Sequence, residues 1–435
     1  MKIPRVLRTA LRDKGIARPT PIQVQGLPVA LCGRDMVGIA FTGSGKTMTF
    51  TIPMLLMALG EEMKCKLRGR DGPIGLIMGP SRELMTQTFE LVEMMCEALL
   101  KDKRFPKLRC TLAIGGQDKR SQVLAYRQNG THMVIATPGR LNDMLSRGDM
   151  NLDICRYFCL DEGDRMMDDG FDEEVQKTLG YFKLQRQTLL FSATMPKKFV
   201  EFAQKSLIRP IMVNVGRAGA ANLDVVQHVE LVKQESKIVY LLECLQKSPP
   251  PVIIFAENKA DVDRIVEYLL VKGVDAVGIH AGKSQNERND AIKNFKSHSK
   301  DILVATDIAA KGLDFPDIQH VINFDMPTEI ENYVHRIGRT GRNGKTGIAT
   351  TFINANVDAT ILLDLKHLLV EARQKIPPML MQLDDPTAGE EGDSSCAYCG
   401  GPGHRITNCP KLKGNVRGQA NSRDIIGNAA YGGNC

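Results

Sequence analysis

Short apolar and β-branched runs alternate with longer stretches of helical period between about Asp35 and Asn354. Met36–Phe41, Gly75–Met78, Met133–Ala136, Arg156–Leu160 and Thr188–Ser192 form a first set. Val252–Phe255, Ala276–Ile279, Ile302–Ala305, Val321–Phe324 and Ile348–Ile353 form a second. Each run is bounded by Gly, Pro, Asp or Ser. A short run with no polar face, followed by a helical pattern, predicts a buried strand of a parallel sheet covered by helices. The pattern occurs twice, so the fold class is α/β with two tandem parallel-sheet domains, residues 1–213 and 225–375. Between them, 214–224 holds Gly216, Gly219 and several alanines, a composition that suits an exposed linker. After the helical pattern Val357–Glu371, residues 376–395 read as a flexible tether, acidic with Gly and Ser from Asp384 to Ser395. Residues 396–410 carry a tight Cys/His cluster, and 411–435 have no pattern and are expected to be disordered.

At 435 residues the chain is too long for one ordinary core, which agrees with two or three domains. Hydrophobic content of 43% and charged content of 25% are those of a globular protein. No apolar run approaches the ~18 residues needed to cross a bilayer, so no membrane partner is expected. Met1-Lys2-Ile3-Pro4-Arg5 lacks the apolar stretch of a secretory signal. The expected location is therefore the nucleus or the cytoplasm. Among eleven cysteines, Cys32, Cys96, Cys155, Cys159 and Cys244 are scattered singly and read as reduced, mostly buried thiols. A net charge of +7 is compatible with a polyanion. With no tryptophan and only 5% aromatics, phosphate and sugar contacts are expected rather than base stacking.

Ala40-Phe41-Thr42-Gly43-Ser44-Gly45-Lys46-Thr47 follows an apolar run and opens a helical one. Glycines there let the backbone wrap a phosphate, with N–H groups and a helix N-terminus facing the negative charge. Lys46 is placed to reach the β/γ-phosphates of a nucleoside triphosphate, and the Thr47 hydroxyl to ligate Mg2+. Arg156–Leu160 leads into Asp161-Glu162-Gly163-Asp164. Asp161 then holds Mg2+ through its waters, and Glu162 orients or deprotonates the attacking water. A phosphoryl-transfer site also needs positive charge on the developing transition state. His335-Arg336-Ile337-Gly338-Arg339-Thr340-Gly341-Arg342 lies in the second set. If Arg339 and Arg342 reach the terminal phosphate, the nucleotide bridges two domains; arginines so placed are worth about 10³–10⁵ in rate.

Taken together, the motifs from Gly15 to Arg373 resemble those of DEAD-box ATP-dependent RNA helicases of the Abstrakt type with a C-terminal CCHC zinc knuckle. Gly15-Ile16-Ala17-Arg18-Pro19-Thr20-Pro21-Ile22-Gln23 is similar to the Q motif, which implies that Gln23 reads the adenine edge. Pro80–Leu84, Gly115-Gly116 and Thr137-Pro138-Gly139-Arg140 resemble the RNA-contacting motifs of the first domain. Ser192-Ala193-Thr194 resembles the motif that couples hydrolysis to strand separation, and Asp164 belongs to the acidic catalytic motif. In the second domain, Gln285 with Arg288, and Thr306-Asp307 through Lys311-Gly312-Leu313-Asp314, match the remaining motifs. The resemblance implies that Asp314 contacts the ribose and Thr306 the RNA backbone. It also implies two RecA-like domains that bind ATP with Mg2+, clamp single-stranded RNA or short duplexes by the backbone, and act as a monomer. A nuclear role in pre-mRNA splicing, with spliceosomal protein partners, follows from the Abstrakt likeness alone.

Departures from the family pattern bear on activity. Gly163 replaces the usual Ala and is expected to loosen the acidic turn at about 0.5–1 kcal/mol. Met85 and Ala281 stand where the family has Ala and Gly, and are expected to tighten packing near RNA-contacting loops. The aromatic that the family stacks on adenine would lie before the first residue of this sequence. The altered acidic motif and the missing aromatic support an alternative, an RNA- or DNA-binding clamp or sensor with a weakened ATPase.

Cys396-x2-Cys399-x4-His404-x4-Cys409 has the spacing of a zinc knuckle, and Gly400 and Gly403 supply its turns. Zn2+ bound there contributes about 10–16 kcal/mol and folds the module outright. Tyr398 and Arg405 suit a second RNA contact, with a protein contact as the alternative.

Overall fold

The computed structural model describes residues 3–41, 43–68, 71–168, 170–215, 224–307, 315, 317–342 and 345–383. Met1–Ile361 form one compact unit that holds two all-parallel sheets. The first sheet contains β1 (Met36–Ala40), β2 (Gly75–Met78), β3 (Cys110–Ala113), β4 (Met133–Ala136), β5 (Tyr157–Leu160), β6 (Gln187–Ser192) and β7 (Ile211–Val215), in the order β3-β4-β2-β5-β6-β1-β7. The second contains β8 (Val225–Leu231), β9 (Val252–Phe255), β10 (Ala276–Ile279), β11 (Ile302–Ala305), β12 (His320–Asn323) and β13 (Gly347–Ile353), in the order β10-β11-β9-β12-β13-β8. From Leu362 a second unit begins; within it Lys366 Nζ donates to the Leu383 carbonyl at 2.8 Å, beside the short helix Pro378–Met381.

The expected α/β fold with two parallel sheets is what forms. Every residue of β1, β2, β4, β5 and β6 is buried, as expected of strands with helices on both faces. The pattern reading did not name β3, β7 or β8, all of them edge strands with one wetter face. The linker expectation needs a correction at its start: Asn214 and Val215 belong to β7, paired with Ile39 and Ala40. Alternation there (Met212 and Asn214 exposed, Val213 buried) is the mark of an edge strand, not a tether. Of the five cysteines expected to be mostly buried, four are; Cys32 caps a helix end and is exposed.

Local chemistry fixes the helix ends that carry the motifs. Thr20 and Gln23 form a capping box at the start of helix Pro21–Leu31. Ser81 accepts the Leu84 N–H at 3.2 Å to begin Arg82–Leu100, and Ser284 with Glu287 boxes the start of Gln285–Lys296. In the first sheet β5, β6 and β1 lie side by side, and because all strands run parallel, their C-terminal ends open onto one edge.

Asp35 anchors that edge from the opposite end. One carboxylate oxygen accepts the Thr188 N–H at 2.8 Å and the other the Ile208 N–H at 2.7 Å, tying β6 and the approach to β7 onto β1. Asp35→Ala strands both donors and is expected to cost on the order of 2–4 kcal/mol. Asp35→Asn, which keeps one acceptor, should lose roughly half as much. Chemical denaturation followed by circular dichroism checks this; an unchanged first transition in Asp35→Ala would show that water replaces the carboxylate.

Candidate active site

The loop after β1 turns twice through left-handed glycine, Gly43 at φ 84° and Gly45 at φ 91°, before helix Lys46–Lys64 begins. Both turns are close-packed. A Cβ on Gly45 would lie 2.5 Å from Gln23 Nε2, and one on Gly43 would lie 3.0 Å from Arg342 Cγ. Lys46 is buried and its Nζ donates to the Ala40 carbonyl at 2.6 Å. Ala40 is thus the last residue of β1 and the anchor of the lysine; with Phe41 and Ser44 it stays off the cavity wall. Thr42 and Asp314 lie outside the described residues.

The acidic turn stands beside the lysine. Asp161, Glu162 and Asp164 are all buried. Burial, then the charge of Glu162, pushes the Asp161 carboxyl up to about 7. Burial lowers Lys46, against the pull of Asp161, Asp164 and Glu162, with Arg339 adding to the decrease. Glu162 has a left-handed backbone, φ 50°, and its carboxylate is ion-paired with Arg165. For Asp164 burial acts upward, but its polar partners win and the carboxyl is held below the ordinary range. It accepts from the Thr194 N–H at 2.9 Å and the Thr194 hydroxyl at 2.7 Å, and His335 Nε2 lies 3.7 Å away. Burial brings the His335 imidazole down to about 4, so at neutral pH it is an uncharged ring against the Asp164 carboxylate.

Positive charge arrives from the second lobe. Helix Ile330–Ile337 ends at Gly338, and Arg339 and Arg342 follow in the turn, each with its Nε donating back to the carbonyl four residues earlier, at 3.1 and 2.9 Å. A cavity of about 780 Å3 is lined from the first lobe by Gln23, Gly43, Gly45, Lys46, Thr47, Asp161 and Glu162, and from the second by Lys296, Arg339 and Arg342. Gln23 uses half its amide locally: Nε2 donates to the Gly45 carbonyl and Oε1 accepts the Thr20 N–H, both at 3.1 Å. One donor and one lone pair remain for a ligand. Among the described residues no three His, Cys, Asp or Glu side chains converge on a metal position. Asp161 and Thr47 both line the cavity and carry oxygen donors of the kind that could hold a hard cation such as Mg2+.

A second contact region joins the lobes. Glu83, in the first turn of helix Arg82–Leu100, is ion-paired with Arg288. Gln285 Nε2 donates to Glu83 Oε1 at 3.2 Å, while Arg82 Nη1 donates to Gln285 Oε1 at 3.1 Å. Arg82 lies over the Gly115-Gly116 turn, where a Cβ on Gly116 would meet Nη1 at 2.3 Å. Met85 fills the space over Gly79, as expected of a larger residue there. Ala281 does not tighten anything; it is exposed. In the second lobe Asp307 Oδ1 accepts from Arg336 Nε at 2.6 Å. Sequence reasoning missed Arg165, Lys296 and the pairing of Glu83 with Arg288, and gave His335 no role. The spacing of Glu162 and Arg165 is a helical i, i+3 pair and could have flagged the first of these. Cys396, Cys399, His404 and Cys409, with Tyr398 and Arg405, lie outside the described residues.

Residues 20–202 match the family described as DEAD/DEAH box helicase, and residues 235–344 the helicase conserved C-terminal domain. The chain is 61% identical to DEAD-box ATP-dependent RNA helicase 35 of Arabidopsis thaliana, over 100% of this chain and 74% of that protein. It is 54% identical to the ATP-dependent RNA helicase abstrakt of Drosophila melanogaster, over 99% of this chain and 70% of that one. Among solved structures, Mss116p bound to single-stranded RNA and AMP-PNP superposes with a TM-score of 0.74 at 26% identity, covering 87% of this chain and 78% of that chain.

The Glu83–Arg288 pair joins the two lobes and is buried between them. Its side chains are 3% and 11% exposed, so removing one partner leaves a charge that closure must bury alone, at about 3–5 kcal/mol. Arg288→Ala and Glu83→Gln are each expected to enlarge the radius of gyration measured by solution scattering with a non-hydrolysable ATP analogue. The double variant should open no further than either single one. Unchanged scattering in both single variants would mean that the pair does not hold the lobes.

Proposed function

This chain belongs to the DEAD-box ATP-dependent RNA helicases, an ATP-hydrolysing family, and from that premise we propose how its own residues divide the work. The carrying observation is that one cavity is walled by Lys46, Asp161 and Glu162 on one side and by Arg339 and Arg342 on the other. Lys46 and the backbone N–H groups of the glycine turns bind the β- and γ-phosphates. Glu162, held by Arg165, orients the attacking water. Asp161 and Thr47 hold Mg2+, which supplies charge neutralisation on the phosphate oxygens. Arg339 and Arg342 place positive charge on the transferring phosphoryl group only when the lobes are closed, so hydrolysis waits on closure. Gln23 reads the adenine edge and Asp314 the ribose. Asp164 belongs to the same acidic catalytic turn; its bonds to Thr194 and its approach to His335 couple the hydrolytic site to the segment that follows β6 and to the second lobe.

RNA is held by its backbone, by Thr306 and the loops around Gly115-Gly116 and Thr137–Arg140, and a short duplex is parted by bending one strand. The chain acts as a monomer, in the nucleus, on pre-mRNA splicing complexes; that setting is supported by the Abstrakt-type resemblance. Cys396, Cys399, His404 and Cys409 bind one Zn2+ and present Tyr398 and Arg405 to RNA, a reading supported by ligand spacing and the flanking glycines.

Lys46→Ala is expected to abolish ATP turnover. Arg342→Ala should bind nucleotide almost normally while hydrolysing it roughly 10³-fold more slowly. Steady-state phosphate release with single-stranded RNA, with DNA of the same sequence and with neither provides the readout. Stimulation by RNA alone is expected, and equal rates in all three would favour a clamp with a decayed motor. If Arg342→Ala lost binding and hydrolysis equally, the arginine would be a ground-state ligand.

For the knuckle, metal analysis of the purified chain should find close to one zinc, lost in Cys399→Ser. An unchanged metal content in that variant would remove the knuckle from the assignment.

A further inference from the structure

Gly163 is the residue by which this acidic turn departs from its family, and the reason lies in a side chain from another helix. A Cβ at position 163 would stand 2.4 Å from Cε2 of Phe199 and 3.2 Å from Cδ2 and Cζ. No real pair of carbons tolerates the first distance. Nor can the ring simply swing aside: Phe199 is fully buried in the core on that face of the sheet, packed with Met166, Met167 and Phe202. Position 163 also opens the short helix Gly163–Asp168, directly after Glu162 with its left-handed φ of 50°. A residue pushed at 163 therefore moves a carboxylate whose backbone has little freedom to absorb the push.

We propose that Phe199 is a positioning residue for the acidic turn, its ring taking the volume that the missing methyl of Gly163 leaves. It acts through Gly163 on Glu162 and touches neither nucleotide nor metal. The helix that carries it, Lys197–Ser206, follows Ser192-Ala193-Thr194 after Met195 and Pro196. Thr194 holds Asp164 through two hydrogen bonds, at 2.7 and 2.9 Å. One stretch of chain thus grips the turn twice, by hydrogen bonds at Asp164 and by van der Waals contact at Gly163. A shift of that stretch would therefore reach Asp164 through the hydrogen bonds and Glu162 through the contact at Gly163. The proposal rests on the assignment of this site as the ATPase centre.

The test uses four full-length proteins: the wild type, Gly163→Ala, Phe199→Leu and the double variant, in which gain and loss of side-chain volume offset each other. Gly163→Ala, although it restores the family residue, is expected to lower RNA-stimulated kcat about ten- to a hundred-fold, with KM for ATP changed by less than about three-fold. Phe199→Leu should lower kcat more mildly, and the double variant should return to within about three-fold of wild type. A merely structural role predicts instead that kcat follows the folded fraction, with turnover falling and recovering only as far as Tm does. Wild-type kcat in Gly163→Ala, or a double variant as slow as Gly163→Ala, overturns the proposal. Should Gly163→Ala fail to fold, recovery of Tm and turnover in the double variant supports the pairing, and its failure to fold as well overturns it. A wild type that RNA does not stimulate sinks the ATPase assignment and the positioning role together. The thermal-stability cycle still decides the pairing in that case, since additive Tm shifts would contradict it.

Discussion

Four buried charges at the C-terminal edge of the first sheet impose the constraint from which the rest follows. Lys46, Asp161, Glu162 and Asp164 are all withdrawn from water, with Glu162 paired to Arg165 and the other two carboxylates facing the ammonium. Burial disfavours the charged forms of Lys46 and Asp161, which is why Lys46 is lowered and Asp161 is pushed up to about 7. Such a cluster is not at rest. A polyphosphate brings negative charge to the lysine, and a divalent cation brings positive charge to Asp161, so the two arrive best together.

That demand for outside charge gives closure its energy. The lobes can be shifted only by a ligand that binds the closed arrangement better than the open one. On the proposed assignment ATP would meet the condition, because Arg339 and Arg342 reach the cavity from the second lobe. A polyanion lying across Gly115-Gly116 would do so from another direction, since Arg82 rests on that turn and donates across the gap to Gln285. Two ligands, each favouring the same closed state, must favour each other. Asp164 is where the two effects meet: one carboxylate is held by Thr194 in the first lobe and approached by His335 from the second.

How much of this could be read from residues alone depended on whether the information was local. Strands buried on both faces announce themselves as continuous apolar runs, so the central strands of both sheets were legible. The edge strands β3, β7 and β8 were not, because one wet face breaks the run, and Asn214 and Val215 passed for linker on that account. Lys46, Thr47, Asp161, Glu162, Arg339 and Arg342 were legible because glycine spacing and strand-loop-helix order constrain them tightly. What escaped was pairing at a distance. Glu83 and Arg288 are 205 residues apart, and nothing near either one specifies the other. Thr194 and Asp164 are 30 apart, and their bond depends on β5 and β6 lying side by side.

Gly163 carries the same lesson one step further. Taken by itself, a glycine in a catalytic turn means a looser backbone and a small loss of stability. Beside Phe199 it means the reverse, a backbone position closed in by an aromatic ring and short of room even for a methyl group. The two readings differ in sign, and only the neighbour decides between them. A substitution within a motif is thus no measure of decay until the volume around it is known. Here all three carboxylates of the turn remain in place and buried beside Lys46, so the departure from the family residue weighs against a failed motor rather than for one.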